Sequence, residues 1–277
     1  MINLLNLEEL LNLARLETSQ GKLPSYIPLL AQVNPQSLAI AIADLDQELL
    51  TAGDIHLTFP LMSVVKPFLL LYLLEIFGEK RIFERVDHQA SLLPFNTIPD
   101  RKPPNPMLNC GAIALASLLD SCQSLQDWLN QKSGASLSID QQMLTSVRSV
   151  SSRKNLAIAA QLQKLKIINN PEQALAIYEE ICCLSCHVVD LAKIGTLLIN
   201  NKVSNVNIVL EVMTDCGMYE TSSDFAQEVG LPSKSSISGA LLSILPHQLA
   251  IACYSPALDD VGNSVAGIFL LNQLLKK

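Results

Sequence analysis

The sequence predicts an α+β fold: an antiparallel sheet drawn from both chain ends, flanked by helices, with an all-helical lobe inserted between the strands. Three observations predict it. Strand-like apolar runs lie near the start, at 37–54, and near the end, at 239–256. Helix-like segments fill the stretch between them. Of the 277 residues 49% are hydrophobic and 16% charged, which suits a large core and not a disordered chain. That length fits one compact unit with two lobes, an α/β lobe of about 1–62 and 203–277 and a helical lobe of about 63–202.

Residues 3–19 place Leu4, Leu7, Leu11 and Leu16 near a 3.6-residue period, the pattern of an amphipathic helix. After the loop GKLPSYIP, residues 37–54 read as two strands around a turn at Asp44–Gln47. Residues 63–77 form an apolar helix. The segment 91–106 holds five of the fourteen prolines and is loop. Helices follow at about 109–121, 139–147, 154–166, 171–183 and 186–200. Residues 239–256 read as two further strands. Residues 263–277 close the chain as a helix, with Asn263 as N-cap and two lysines at its C-terminal end, where the dipole favours cations.

A net charge of −7 without any basic run excludes nucleic acid as the expected partner, because phosphates need a basic face. The apolar run at 67–77 is too short to span a bilayer. The N-terminal stretch carries Glu8 and Glu9 and has neither a basic leader nor a small-residue cleavage site, so a cytoplasmic protein with no membrane partner is expected. Seven cysteines in apolar surroundings read as buried thiols of a reducing compartment. Cys183-x-x-Cys186-His187, with Cys182 beside it, matches a haem-attachment pattern. Without an export signal, and on or between helices, buried thiols account for it better than haem or zinc. His56, His88 and His247 have no metal-like spacing and no serine beside them. No metal or cofactor is expected.

The chemistry-bearing pair is Ser63 and Lys66, in FPLMSVVKPFLL. A serine hydroxyl needs a base to act as nucleophile at neutral pH. A lysine one helical turn later shares its face and becomes a base when burial lowers its pKa. Pro67 is tolerated only in a first turn, so the helix should begin close to Ser63 with free N–H groups able to stabilise an oxyanion. Taken alone the motif is weak: Ser19/Lys22 and Ser151/Lys154 also match it, in polar stretches, and read as chance.

Other segments sharpen the reading. PPNPMLNCGAIALASLL (103–119), MTDCGMYETSSDFAQEVGLPSKSSISGA (213–240), SPALDDVGNSVAG (255–267) and LPSYIPLLAQVNPQSLAIAIADLDQELLTAGD (23–54) resemble, in order and spacing, the motifs of serine-dependent glutaminases. The resemblance runs from about residue 23 to the C-terminus. It implies the fold of serine β-lactamases and penicillin-binding proteins, no cofactor, and a homodimer or homotetramer. It also implies hydrolysis of the side-chain amide of L-glutamine to L-glutamate and ammonia through an acyl-enzyme. Carried over by position, Ser63 is the nucleophile and Lys66 its base. Tyr178, across a one-residue deletion, and Tyr219 match two site tyrosines, either of which could relay protons. Asn109 and Asn155 match substrate-holding side chains. Ile237 stands at a position usually held by valine, whose backbone N–H would pair with that of Ser63 as the oxyanion hole. Asn105, before Pro106, reads as a turn residue.

The chain departs from the family in places. The family keeps a glutamate seven positions before Asn155, where it would hold the substrate's α-ammonium; here that position is Arg148. No acidic residue lies between Gln142 and Pro171, and the nearest are Asp140, Glu172, Glu179 and Glu180. Met62 replaces a favoured glutamine. A Glu-Pro-Ser/Thr-Gly turn has become Gln89-Ala90-Ser91-Leu92. Lys234-Ser235-Ser236 puts a side chain where the family has glycine beside the oxyanion hole. The leading expectation is a glutaminase; the alternative is a homologue of weakened or altered specificity that only binds a ligand. β-Lactam or peptide hydrolysis is disfavoured, because cell-wall substrates lie outside the cytoplasm.

Overall fold

The computed structural model describes residues 7–46, 48–150, 153–199 and 205–276. Its strands are β1 (Ala39–Asp44), β2 (Leu49–Gly53), β3 (Thr58–Pro60), β4 (Ser138–Ile139), β5 (Leu184–His187), β6 (Ser233–Ser235), β7 (Ala240–Leu245) and β8 (Leu249–Tyr254). Its helices are α1 (Leu7–Glu17), α2 (Lys66–Phe83), α3 (Asn109–Ala116), α4 (Cys122–Ser133), α5 (Gln141–Ser149), α6 (Arg153–Lys164), α7 (Pro171–Cys182), α8 (Val188–Gly195), α9 (Val206–Cys216), α10 (Ser222–Glu228) and α11 (Val265–Leu275).

The main sheet runs β2-β1-β8-β7-β6, all antiparallel, so the expected sheet from both chain ends is present. Side-chain alternation in β1 explains its two faces. Ile40 and Ile42, with Ile251 and Cys253 of β8, join a core with Leu7 and Leu11 of α1 and Leu270, Leu271 and Leu274 of α11. Ala39, Ala41 and Ala43, with Ala250 and Ala252, face the larger core that includes α8. Alanine is required there because α8 lies close. A Cβ on Gly195 would sit 2.8 Å from the Ala250 Cβ and 2.9 Å from Leu242.

α2 passes through that larger core with Phe68, Leu69, Leu70, Leu71, Leu73 and Leu74 buried, as expected of a helix apolar on all sides. It breaks its helical geometry at Gly78, which has φ 73°. The N-terminal end of α2 therefore reaches the molecule's interior, and there the Ser–Lys pair lies.

Several boundaries differ from expectation. The strand β5 occupies 184–187, where a helix over 186–200 is expected; it pairs with β3 and β4 in a second, three-stranded sheet. Cys186 thus lies on a strand rather than on or between helices, and a 3-10 turn, Thr196–Leu198, follows α8. α3 ends at Ala116, short of the expected 121. The N-cap of α11 is Ser264, whose side chain accepts from Gly267 N, and not Asn263. The expected first helix is present from Leu7. Its first residues, 3–6, lie outside the described residues, as do Gln47 of the expected turn, Ser151 of the third Ser-x-x-Lys match and Lys277 of the closing helix.

Candidate active site

The chain enters α2 through a 3-10 turn, Met62–Val65, that carries Ser63. Helical geometry thus begins where Pro67 requires it. Met62, just before the serine, has φ 46°, a left-handed conformation costly for a long side chain and typical of functional turns. The first bond of the turn is Val64 N–H to the Leu61 carbonyl, so the Ser63 N–H precedes it. Ile237 lies in the turn closed by Gly239 N–H to the Ser236 carbonyl, and its own N–H is outside that bond. Ser236 Oγ donates to the Leu61 carbonyl (2.9 Å), tying the Ile237 turn to the Ser63 turn. The serine that replaces a family glycine thus turns its hydroxyl to the backbone and does not line the cavity described below.

Lys66 is buried. Its Nζ donates to the Met107 carbonyl (2.8 Å) and to Asn109 Oδ1 (2.9 Å). Burial lowers its pKa to about 8. Cys110 and Cys182 would counteract this only as thiolates, and burial pushes both thiols up to about 11. Asn109 organises the surroundings: its Oδ1 also accepts from the Tyr178 hydroxyl (2.9 Å), and its Nδ2 donates to Asn155 Oδ1 (3.1 Å). The segment before α3 holds Asn109 in place. Asn105 Oδ1 accepts from Met107 N (3.0 Å) and Leu108 N (3.1 Å), so it serves the turn, as the sequence suggests. A Cβ on Gly111 would meet the Asn105 carbonyl at 2.1 Å, which explains the glycine of that motif.

Tyr219 is held at φ 54°. Its hydroxyl donates to the Ser235 carbonyl (3.3 Å), and the Ser63 side chain counteracts part of the rise in its pKa. Burial raises its pKa and that of Tyr178, so both phenols are neutral proton donors. Lys234 Nζ lies 4.3 Å from the centre of the Tyr219 ring and donates to the carbonyls of Gly217 (2.8 Å) and Ser235 (2.6 Å). Desolvation, then the Lys66 charge, hold its pKa well below the usual range.

These groups surround a cavity of about 330 Å³. Ser63, Asn109, Asn155, Tyr178 and Ile237 all line it, whereas Lys66 and Tyr219 are not part of that lining. Tyr26, Phe95, Lys154 and Glu179 also line it and were not assigned to the site from sequence. Arg148 is absent from the wall: its Nε bonds Glu179 Oε2 (3.2 Å) and its Nη2 bonds Glu180 Oε1 (3.3 Å). All seven cysteines are buried free thiols. Among the described residues no group of three or more His, Cys, Asp or Glu could hold a metal ion, and no helix is long and apolar enough to cross a membrane.

The family model for glutaminases matches residues 21–277. The chain belongs to the glutaminase family. A glutaminase of Synechocystis sp. is 38% identical, the match covering 94% of this chain and 85% of that protein. Glutaminase 2 of Escherichia coli K12 is 33% identical over 98% of this chain and 95% of that one. The same fold is seen in a probable glutaminase, ybaS, with a TM-score of 0.89 at 29% identity over 97% of this chain and 95% of that one. It recurs in a Bacillus subtilis glutaminase in covalent complex with 5-oxo-L-norleucine, with a TM-score of 0.86 at 27% identity over 97% and 95% of the two chains. This glutaminase thus has the β-lactamase-like fold expected from its motifs.

Tyr26 and Lys234 escaped assignment although both stand inside the recognised segments. Tyr26 looks like a loop aromatic, and Lys234 lies on a strand of three residues that carries no period. Glu179 was legible only as one of four acids near the anomalous arginine.

Proposed function

We propose that this chain hydrolyses the side-chain amide of L-glutamine to L-glutamate and ammonia through a seryl acyl-enzyme. The observation that carries the reading is the state of Lys66. A neutral amine has two N–H bonds and one lone pair. Met107 and Asn109 take two N–H bonds, and burial favours the neutral form. The lone pair is then left for the Ser63 proton. Among the described residues Nζ makes no hydrogen bond to Ser63 Oγ, as is common before substrate closes a site.

In this mechanism Ser63 Oγ attacks the amide carbon and its proton passes to Lys66 Nζ. The carbonyl oxygen becomes an oxyanion facing the N–H groups of Ser63 and Ile237. The C–N bond breaks as the leaving nitrogen receives a proton from Lys66, relayed by the Tyr219 hydroxyl, and departs as ammonia. Water then attacks the seryl ester and gives a proton to Lys66. Ser63 Oγ leaves with that proton and glutamate is released. Tyr178, Asn109 and Asn155 hold the substrate and the lysine. The site belongs to the seam of two lobes, about 1–62 with 203–277 and about 63–202. The working form is a homodimer or homotetramer, as the resemblance implies, and the cytoplasm is its proposed compartment.

6-Diazo-5-oxo-L-norleucine tests the nucleophile, since the Bacillus subtilis relative forms its covalent complex by reaction with it. Intact-mass measurement is expected to find one adduct on the wild-type chain and none on Ser63→Ala. An adduct that persists in Ser63→Ala, or none on the wild type, contradicts the proposal.

A further inference from the structure

Arg148 presents a puzzle that the packing of α5 against α7 resolves. A cation at that position repels the α-ammonium of an amino-acid substrate, yet its guanidinium is held by two carboxylates, Glu179 and Glu180. One positive and two negative charges leave this patch net negative. The four acids nearest in sequence differ in what they do. Asp140 caps α5 by accepting from Met143 N. Glu172 is exposed in the first turn of α7. Glu180 holds the outer nitrogen of Arg148 and does not line the cavity. Glu179 is buried, lines the cavity next to Tyr178, and is the acidic residue of that lining.

We infer that Glu179 is the anionic receptor for the α-ammonium of the substrate, and that Arg148 is its positioning partner. The inference rests on the glutaminase reading and names how that site recognises an α-amino acid. A buried ammonium needs a partner of opposite charge within reach. Arg148 Nε engages Oε2 of Glu179, and among the described residues Oε1 accepts no hydrogen bond. Desolvation raises the Glu179 pKa on balance, and the hydrogen bond and charge of Arg148 oppose that rise, favouring the carboxylate form that an ammonium would pair with. The charge has moved from the α5 position to α7, and the residue at the old position now orients the new one.

The test compares L-glutamine with 4-carbamoylbutanoate, the same amide without its amino group. Calorimetric binding is measured on Ser63→Ala, which cannot turn over, and on Ser63→Ala/Glu179→Gln. Ammonia release by the wild type is run in parallel. Ser63→Ala is expected to prefer L-glutamine by about tenfold or more, the scale of one charged hydrogen bond. Glu179→Gln should bring that ratio to within about twofold and leave carbamoylbutanoate binding intact, which also reports a folded variant. An undiminished preference in Glu179→Gln overturns the inference, as does failure of Ser63→Ala to bind L-glutamine. If the Gln variant does not fold, Glu179→Asp decides: a narrowed preference supports the inference and an unchanged one overturns it. If the wild type binds but releases no ammonia, the glutaminase reading fails while the binding ratio still judges Glu179.

Discussion

Lys66 can take a proton only as the neutral amine, so its titration should control the rate. Its pKa is lowered to about 8, and the protonated form predominates below that value. The kcat/KM for glutamine should therefore rise with pH through about 8 as the neutral amine forms. A profile that falls across that value would assign the base elsewhere. The same shift has a stability consequence. In the unfolded chain this amine titrates at its ordinary value of 10.5, so between about 8 and 10.5 the unfolded state binds more protons. The cost of burying Lys66 is full below about 8 and is relieved as pH rises across that window. The two tyrosines should separate by kinetics. Ser63 is among the groups that act on the Tyr219 phenol, whereas Tyr178 bonds Asn109. Tyr219→Phe should lower kcat by roughly tenfold or more with little change in KM, and Tyr178→Phe should chiefly raise KM. Equal effects on both parameters would remove the distinction. At this scale Asn109 stands inside the 103–119 motif, whereas Ser63, Lys66 and Asn155 lie outside the long motifs and were assigned by position relative to them. The partnership of Arg148 with Glu179 was not legible, because the residues are 31 positions apart and meet only when α5 and α7 pack.

Helix α8 meets the sheet where a row of alanines and Gly195 let the backbones approach. Gly195→Ala should lower stability by about 1–3 kcal/mol through overpacking, read from the midpoint of urea unfolding. An unchanged midpoint would mean that the sheet yields at no cost. The long elements of the fold were readable from their apolar content: β1, α7 and α11 lie close to where the sequence puts them, and α2, expected over 63–77, runs over Lys66–Phe83. The second sheet was not readable. β3, β4 and β5 have two to four residues each, too few for alternation to register, and Leu184–His187 follows a helix without a proline or glycine to mark the break. α4, α9 and α10 were passed over as well. α4 is two-thirds polar, and Ser121 before it makes no side-chain capping bond that would mark its start.

The whole molecule joins two ends of the chain around one cavity. Ser63 comes from the turn before α2, Asn109, Asn155 and Tyr178 from the helical middle, and Tyr219 and Ile237 from the C-terminal third. A ligand that touches all three should stabilise the fold as a unit. L-Glutamate at a hundredfold its Kd should add about 2.7 kcal/mol, visible as a single shifted melting transition. Two separate transitions would mean that the lobes unfold independently. The most direct test of the central claim, that Ser63 with Lys66 performs amide hydrolysis, is ammonia release from L-glutamine by the purified wild type beside Ser63→Ala. Steady release by the wild type that vanishes in a folded Ser63→Ala variant is the predicted result. Equal release by both proteins, or none by the wild type, would contradict it.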